Sequence, residues 1–204
     1  MLNIIFKVLL IVGSLLCLHA SWLPAKAWLS QELINYSWQQ SMAQQTSVKK
    51  GASIKHENQH ESNDVAIKPW PWADTFPIAE LSFKRLAKSV VILNGGDPTT
   101  LAFSAGAIAP FNQTNGINSF VVAGHNDSHF DFLENILMKD IISMRDQHGL
   151  SQLYQVEAID IIDATTGQLP ILANDSSLIL ITCYPFNTIG NDANERYVIT
   201  AKLI

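Results

Sequence analysis

The chain has 204 residues, of which 48% are hydrophobic and 15% charged, with a formal net charge of −5. That composition belongs to a globular protein with room for one ordinary domain and some additional segments. The acidic balance supplies no basic face, so nucleic acid is not expected among its partners.

The first element is apolar. "MLNIIFKVLLIVGSLLCLHASWLPAKAW" is almost wholly hydrophobic from Ile4 to Leu23, broken by Lys7 and His19. A helix of roughly 20 apolar residues crosses a bilayer core, so this run is long enough for a membrane anchor in contact with lipid. A cleaved signal peptide is the competing reading, with "AKA" at residues 25–27 as an A-x-A site. A buried helix of a soluble core is disfavoured, because the segment has no polar face. Anchor and signal agree that the rest of the chain is exported. Only two cysteines occur, Cys17 and Cys183. In an exported domain Cys183 then lacks a disulfide partner, which points either to chemical use or to an inert buried thiol.

"KAWLSQELINYSWQQSMAQ" spaces Trp28, Leu33, Ile34 and Trp38 at helical steps, as an extension of the membrane helix or as a surface helix. The composition then turns to Gln, Ser, Lys, Asn and His, and residues 39–67 read as a flexible polar spacer. His56 and His60 lie there at an i, i+4 spacing, which in a solvated linker needs no metal.

The folded domain begins at residue 68. Pro69, Pro71 and Pro77 forbid a regular helix, and Trp70, Trp72 and Phe76 are expected to close one end of a core. Leu81 and Phe83 alternate with polar residues as in a strand, and "SVVIL" is a second one ended by the turn "NGGD". "TTLAFSAGAI" is ambiguous and allows a helical turn. "INSFVVAGH" reads as a strand entering a loop and "FDFLENILMKD" as a short helix. "DIISMRDQHGLSQLYQVEAIDIID" reads as a hairpin turning at Gly149. "ATTGQLPILANDSS" is loop, and two final strands follow in "SLILIT" and "RYVITAKL". Short strands with brief helices between them imply a closed or sandwiched β-fold. The expected divisions are therefore 1–38 for anchor and helical extension, 39–67 for the spacer and 68–204 for the β-domain.

If the last two strands neighbour each other antiparallel, about 4.8 Å apart, Cys183 at the end of one meets Arg196 at the start of the next. If the "SFVVAGH" strand runs parallel to the Cys183 strand, His125 reaches the same mouth. Those three residue types suit acyl transfer through a thioester. A thiolate is the nucleophile, an imidazolium protonates a departing amine, and a guanidinium presents fixed donors to an oxyanion.

The surrounding motifs are specific. "AGHNDSHF" at 123–130, "LILITCYPF" at 178–186 and "ERYVI" at 195–199, with "KPWPWADT" at 68–75 and "LAF" at 101–103, resemble the sortase family. They are most similar to its class GN members from proteobacteria. The likeness runs from Trp22 to the C-terminus, spacer excepted. It implies an eight-stranded sortase β-barrel behind a single-pass anchor in the inner (cytoplasmic) membrane, with the barrel facing the periplasm. It implies a cysteine transpeptidase with Cys183 as nucleophile, His125 as acid/base and Arg196 as oxyanion and substrate stabiliser, with no cofactor and no metal. The partner implied is an exported surface protein with a C-terminal LPxTG-like sorting signal, and the acceptor amine is unspecified. Three positions depart from the family pattern. Asn126 stands where Arg is common, Ala107 where a second His is frequent, and Ser177-Leu178-Ile179 where Leu-Thr-Leu is usual.

Around this trio, Asp127 is expected either to orient the imidazole or to cap the loop and following helix. Thr182 is expected to shape the site through its hydroxyl or to fill strand space, and Tyr184 to stiffen the loop or line the substrate groove. Tyr197 reads as core and His148 as a solvated turn residue. Two rivals use the same mouth: a metal-dependent hydrolase with His125, Asp127 and His129 as ligands, and a barrel that binds a peptide without cleaving it.

Overall fold

The computed structural model describes residues 2–51, 66–114, 118–166, 176–186 and 194–204. A first helix, α1 (Leu2–Gly51), carries Pro24 within it. Then come β1 (Pro77–Phe83), β2 (Lys88–Asn94), the single-turn α2 (Pro98–Leu101), β3 (Gly106–Ala107) and β4 (Phe120–Ala123). The chain continues through β5 (Ile141–Asp146), β6 (Ser151–Asp163), β7 (Ser177–Tyr184) and β8 (Glu195–Leu203). The eight strands close into a barrel in the order β1-β2-β3-β4-β7-β8-β6-β5, the closed β-fold the sequence led us to expect.

Alternation builds the barrel wall, since successive side chains of a strand point to opposite faces. Leu81, Ile92, Phe120, Val122, Leu178, Leu180, Ile199 and Ala201 fill the interior. Their outward neighbours Val121, Ile179, Ile181 and Val198 form a second buried cluster, covered by Ile108, Phe111 and Ile162. The β5–β6 hairpin turns at Gly149, whose φ of 70° lies in the left-handed region that suits glycine. Asp146 pins that turn by accepting from the backbone N–H groups of His148 and Leu150 at 2.9 and 2.8 Å.

α1 extends well past the helical extension expected to end at residue 38. Residues 39–51, expected as the start of the spacer, continue that helix. Ile34, Trp38 and Met42, at i, i+4, i+8, lie on the outward side chains Val91 and Leu93 of β2, with Trp70 and Phe103 completing the cluster. The Trp38 indole donates to Glu80 of β1 at 3.3 Å, and the Ser37 hydroxyl to the Ile67 carbonyl. Trp70 therefore packs against the stem, edge-on to Phe103 at 4.9 Å. Only Phe76 of the expected aromatic lid touches the barrel core; Trp72 is 79% exposed. His56 and His60 lie outside the described residues.

Before this docking region the described side chains of α1 from Ile5 onward are exposed. Ile5, Leu9, Leu16, Trp22 and Trp28 are all exposed, and the helix is long and apolar enough to cross a membrane, with a mean hydropathy of 1.9 over its most apolar stretch.

Candidate active site

β7 and β8 pair antiparallel with Cys183 opposite Arg196 and Thr182 opposite Tyr197. Opposed residues of an antiparallel pair share a face with Cα atoms about 4.5–5.5 Å apart. Cys183 has the parity of Ile179 and Ile181, and Arg196 that of Val198. Both thus rise from the outer face of the barrel, at the edge of the outer apolar cluster. Cys183 is half-buried and not in a disulfide. Arg196 is also half-buried and donates from Nη1 to the Glu195 carbonyl at 2.9 Å.

β4 runs parallel to β7, with Ala123 opposite Ile181. The ladder continues one step beyond the strand, where Gly124 N–H donates to the Ile181 carbonyl at 3.1 Å. Two residues beyond the Ala123–Ile181 pair stand exposed His125 on one chain and Cys183 on the other. The Thr182 hydroxyl, 2% exposed, donates to the Gly124 carbonyl at 2.7 Å and so locks the residue before His125 to the residue before Cys183. Gly124 has to be glycine. A Cβ there would lie 2.7 Å from the ring of Phe130, which is wholly buried in the core.

The His125 loop is a closed turn in which Phe130 N–H donates to the His125 carbonyl at 2.9 Å. Asn126 bridges to the other side of the mouth, its Nδ2 donating to the Pro185 carbonyl at 3.1 Å. Asp127 is exposed and does not cap the following 3-10 helix (Asp131–Asn135), whose N-cap is Phe130. His129 is half-buried. Burial first, then the charge of His125, hold its pKa below the ordinary 6.5, against the opposing pull of the Ala102 carbonyl and of Asp127 and Asp131. Among the described residues no group of three or more His, Cys, Asp or Glu is placed to hold a metal ion.

Tyr184 has the opposite parity from Cys183. Its ring stacks on Tyr197 at 6.2 Å and meets Phe186 edge-on, while Phe186 and Tyr197 pack on the interior core. Burial, then Tyr184 and Glu134, push the Tyr197 phenol above its usual pKa, so it is neutral at pH 7. The sequence did not disclose the Asn126 bridge, which depends on where separate loops meet and which no local pattern encodes.

A closed eight-stranded barrel with Cys183 paired to Arg196 on β7 and β8, and His125 two residues past the end of β4, defines the class. The Sortase domain family model matches residues 81–204, and the chain belongs to the sortase family, a family of cysteine transpeptidases. It is 26% identical to Sortase D of Bacillus subtilis (strain 168) over 125 residues, which is 61% of this chain and 62% of that relative's length. Among solved structures it is similar to a Clostridium perfringens Sortase D5 transpeptidase, with a TM-score of 0.61, 15% identity, and coverage of 85% of this chain and 99% of that one. It is also similar to a lid mutant of sortase A from Corynebacterium diphtheriae, with a TM-score of 0.58, 21% identity, and coverage of 89% and 95%. These two structures speak to the fold.

Proposed function

We propose that the chain is a membrane-anchored cysteine transpeptidase that cleaves an LPxTG-like sorting signal of an exported protein, with Cys183 as nucleophile. The observation that carries the reading is the pairing of Cys183 with Arg196 on one outer face, with His125 one strand away. The Cys183 thiolate attacks the carbonyl carbon between Thr and Gly of the signal. As the C–S bond forms, the carbonyl electron pair moves to oxygen, and the Arg196 guanidinium faces the oxyanion. Collapse breaks the C–N bond, and the His125 imidazolium gives its proton to the departing amine. A thioester remains on sulfur. An incoming amine gives a proton to His125 and attacks the thioester, a C–N bond forms, and the thiolate is released. Asn126, Thr182 and Gly124 hold the two loops in register for this chemistry.

The run of motifs from "KPWPWADT" to "ERYVI" supports placement in class GN, with a dedicated surface protein as substrate. The exposed apolar side chains of α1 support a single-pass anchor in the inner membrane with the barrel in the periplasm.

The test uses the full chain in detergent with an LPxTG-like peptide bearing a thiol-reactive group in place of the scissile bond. Mass spectrometry should find the adduct on Cys183 and none in Cys183→Ala. Labelling should fall about 100-fold or more in His125→Ala and Arg196→Ala, and a chelator should leave it unchanged. Equal labelling of the wild type and all three variants overturns the assignment, and a peptide that binds tightly without labelling identifies a mere binder.

A further inference from the structure

His125 is the middle residue of a short segment tied on both sides to the chain that carries Cys183. On one side the Gly124 N–H donates to the Ile181 carbonyl at 3.1 Å, and the Gly124 carbonyl accepts from the Thr182 hydroxyl at 2.7 Å. On the other side Asn126 Nδ2 donates to the Pro185 carbonyl at 3.1 Å. The first two bonds continue the parallel pairing of β4 with β7, whereas the third leaves the sheet and joins two loops. A bond between loops fixes a residue only where its far end is itself fixed. Pro185 meets that condition, because it stands between two aromatic residues seated on the barrel. Tyr184 stacks on Tyr197 at 6.2 Å with 17° between the rings. Phe186 meets Tyr197 edge-on at 5.2 Å and Tyr184 edge-on at 6.4 Å. Offset-stacked and edge-on pairs at such separations are the favoured arrangements of aromatic rings. Phe186 and Tyr197 also pack on the interior core.

Resting on the transpeptidase reading, we propose that Asn126 is a positioning residue for His125, and that it works by tying the His125 backbone to a platform built from Tyr184, Phe186 and Tyr197. The route runs from the barrel core through the three rings to the Pro185 carbonyl, then through the Asn126 amide to the residue before it. Asn126 acts on the reaction through His125, and its amide is neutral, so its contribution is geometric. Beyond it, Phe130 N–H closes the turn on the His125 carbonyl at 2.9 Å, which holds the turn to the core rather than to the Cys183 chain. Without the Asn126 bond the Cys183 chain holds His125 from the Gly124 side, and the exposed imidazole pivots about that end. A fraction of an ångström is enough to slow proton transfer, since about 1 Å of misplacement can cost 100-fold.

Two readouts on the full chain in detergent test this. The first is peptide turnover. Asn126→Leu keeps the branched shape of the side chain without the donor and should lower kcat about tenfold with KM unchanged. Asn126→Gln, which keeps an amide donor, should recover most of the loss. The second readout is the pair of imidazole nitrogen resonances of His125. They should move in Asn126→Leu and stay near their wild-type positions in Asn126→Gln, with both melting temperatures close to wild type. Phe186→Leu thins the platform and should move the same resonances in the otherwise wild-type chain. In the Asn126→Leu background it should move them no further, because its effect travels through the bond already lost. Unmoved His125 resonances in Asn126→Leu overturn the inference whether or not the protein turns over peptide. Equal movement by Phe186→Leu in both backgrounds also overturns it, as does a rise in KM with kcat unchanged in Asn126→Leu, which would place Asn126 on the substrate. A wild type that fails to acylate Cys183 while the resonances move as expected overturns the function and leaves the positioning role standing.

Discussion

At the scale of single residues, the site depends on a buried hydroxyl that touches no substrate. Thr182 spans from the Cys183 strand to the Gly124 carbonyl. Thr182→Val keeps the branched shape that suits a strand but removes the donor. A buried acceptor left unsatisfied costs about 1–3 kcal/mol, so the melting temperature should fall accordingly in calorimetry. Peptide turnover should fall further than the loss of folded protein explains, because the Thr182–Gly124 tie beside His125 is gone. A variant as stable and active as wild type would show that the parallel ladder suffices on its own. The approach of Cys183 to Arg196 was legible in the sequence because both stand at the facing ends of two short apolar runs joined by a polar loop. His125 was legible only on condition that its strand runs parallel to β7. The Thr182–Gly124 bond was one of two open readings, and the Asn126–Pro185 bond was not legible at all, since it joins loops with no sequence relation.

At the scale of elements, the weakest expectation concerned the helix. Ile34, Trp38 and Met42 form a recognisable i, i+4 stripe, but the partners that decide its fate are outward residues of β2, and a strand's outer face usually meets water. β3, with two residues, is too short for any period to register. The stem docks partly through Glu80, which receives Arg145, Ser89 and the Trp38 indole. Burial raises the Glu80 pKa, yet these hydrogen bonds outweigh it and hold the carboxyl below its usual 4.5. A carboxylate whose folded pKa is depressed adds stability that is fully present above its unfolded value and lost as pH falls through the folded one. Between pH 6 and pH 3 the wild type should therefore lose more thermal stability than Glu80→Gln, the other lowered carboxylates being common to both. Detachment of α1, followed by the fluorescence of Trp38, should begin in that window in the wild type. Parallel acid profiles of the two proteins would rule out Glu80 as the acid-sensitive clasp.

At the scale of the whole molecule, α1 fixes where the active rim sits above a bilayer. Exposed apolar side chains run from Ile5 to Trp22, and the first bond to the barrel is made at Gln31. At 1.5 Å per residue the barrel is engaged about 14 Å beyond Trp22. The Lys26 ammonium lies over the Trp22 ring at 4.8 Å, an amphipathic pair suited to the headgroup level. Under the proposed anchor, Cys183 is then held at a set height, and a substrate that is itself tethered to the same membrane meets it at a high effective concentration. Inserting about seven residues of helix, close to two turns, between Ala27 and Trp28 raises the barrel by about 10 Å with nearly the same rotation. The docking contacts from Gln31 onward stay intact. Turnover of a soluble peptide should be unchanged, while processing of a membrane-tethered substrate in vesicles should fall about tenfold, the penalty of a tether that no longer matches its span. An equal effect on both substrates would mean that the insertion disturbed the barrel itself rather than its height. No effect on either would mean that the stem sets orientation without setting reach.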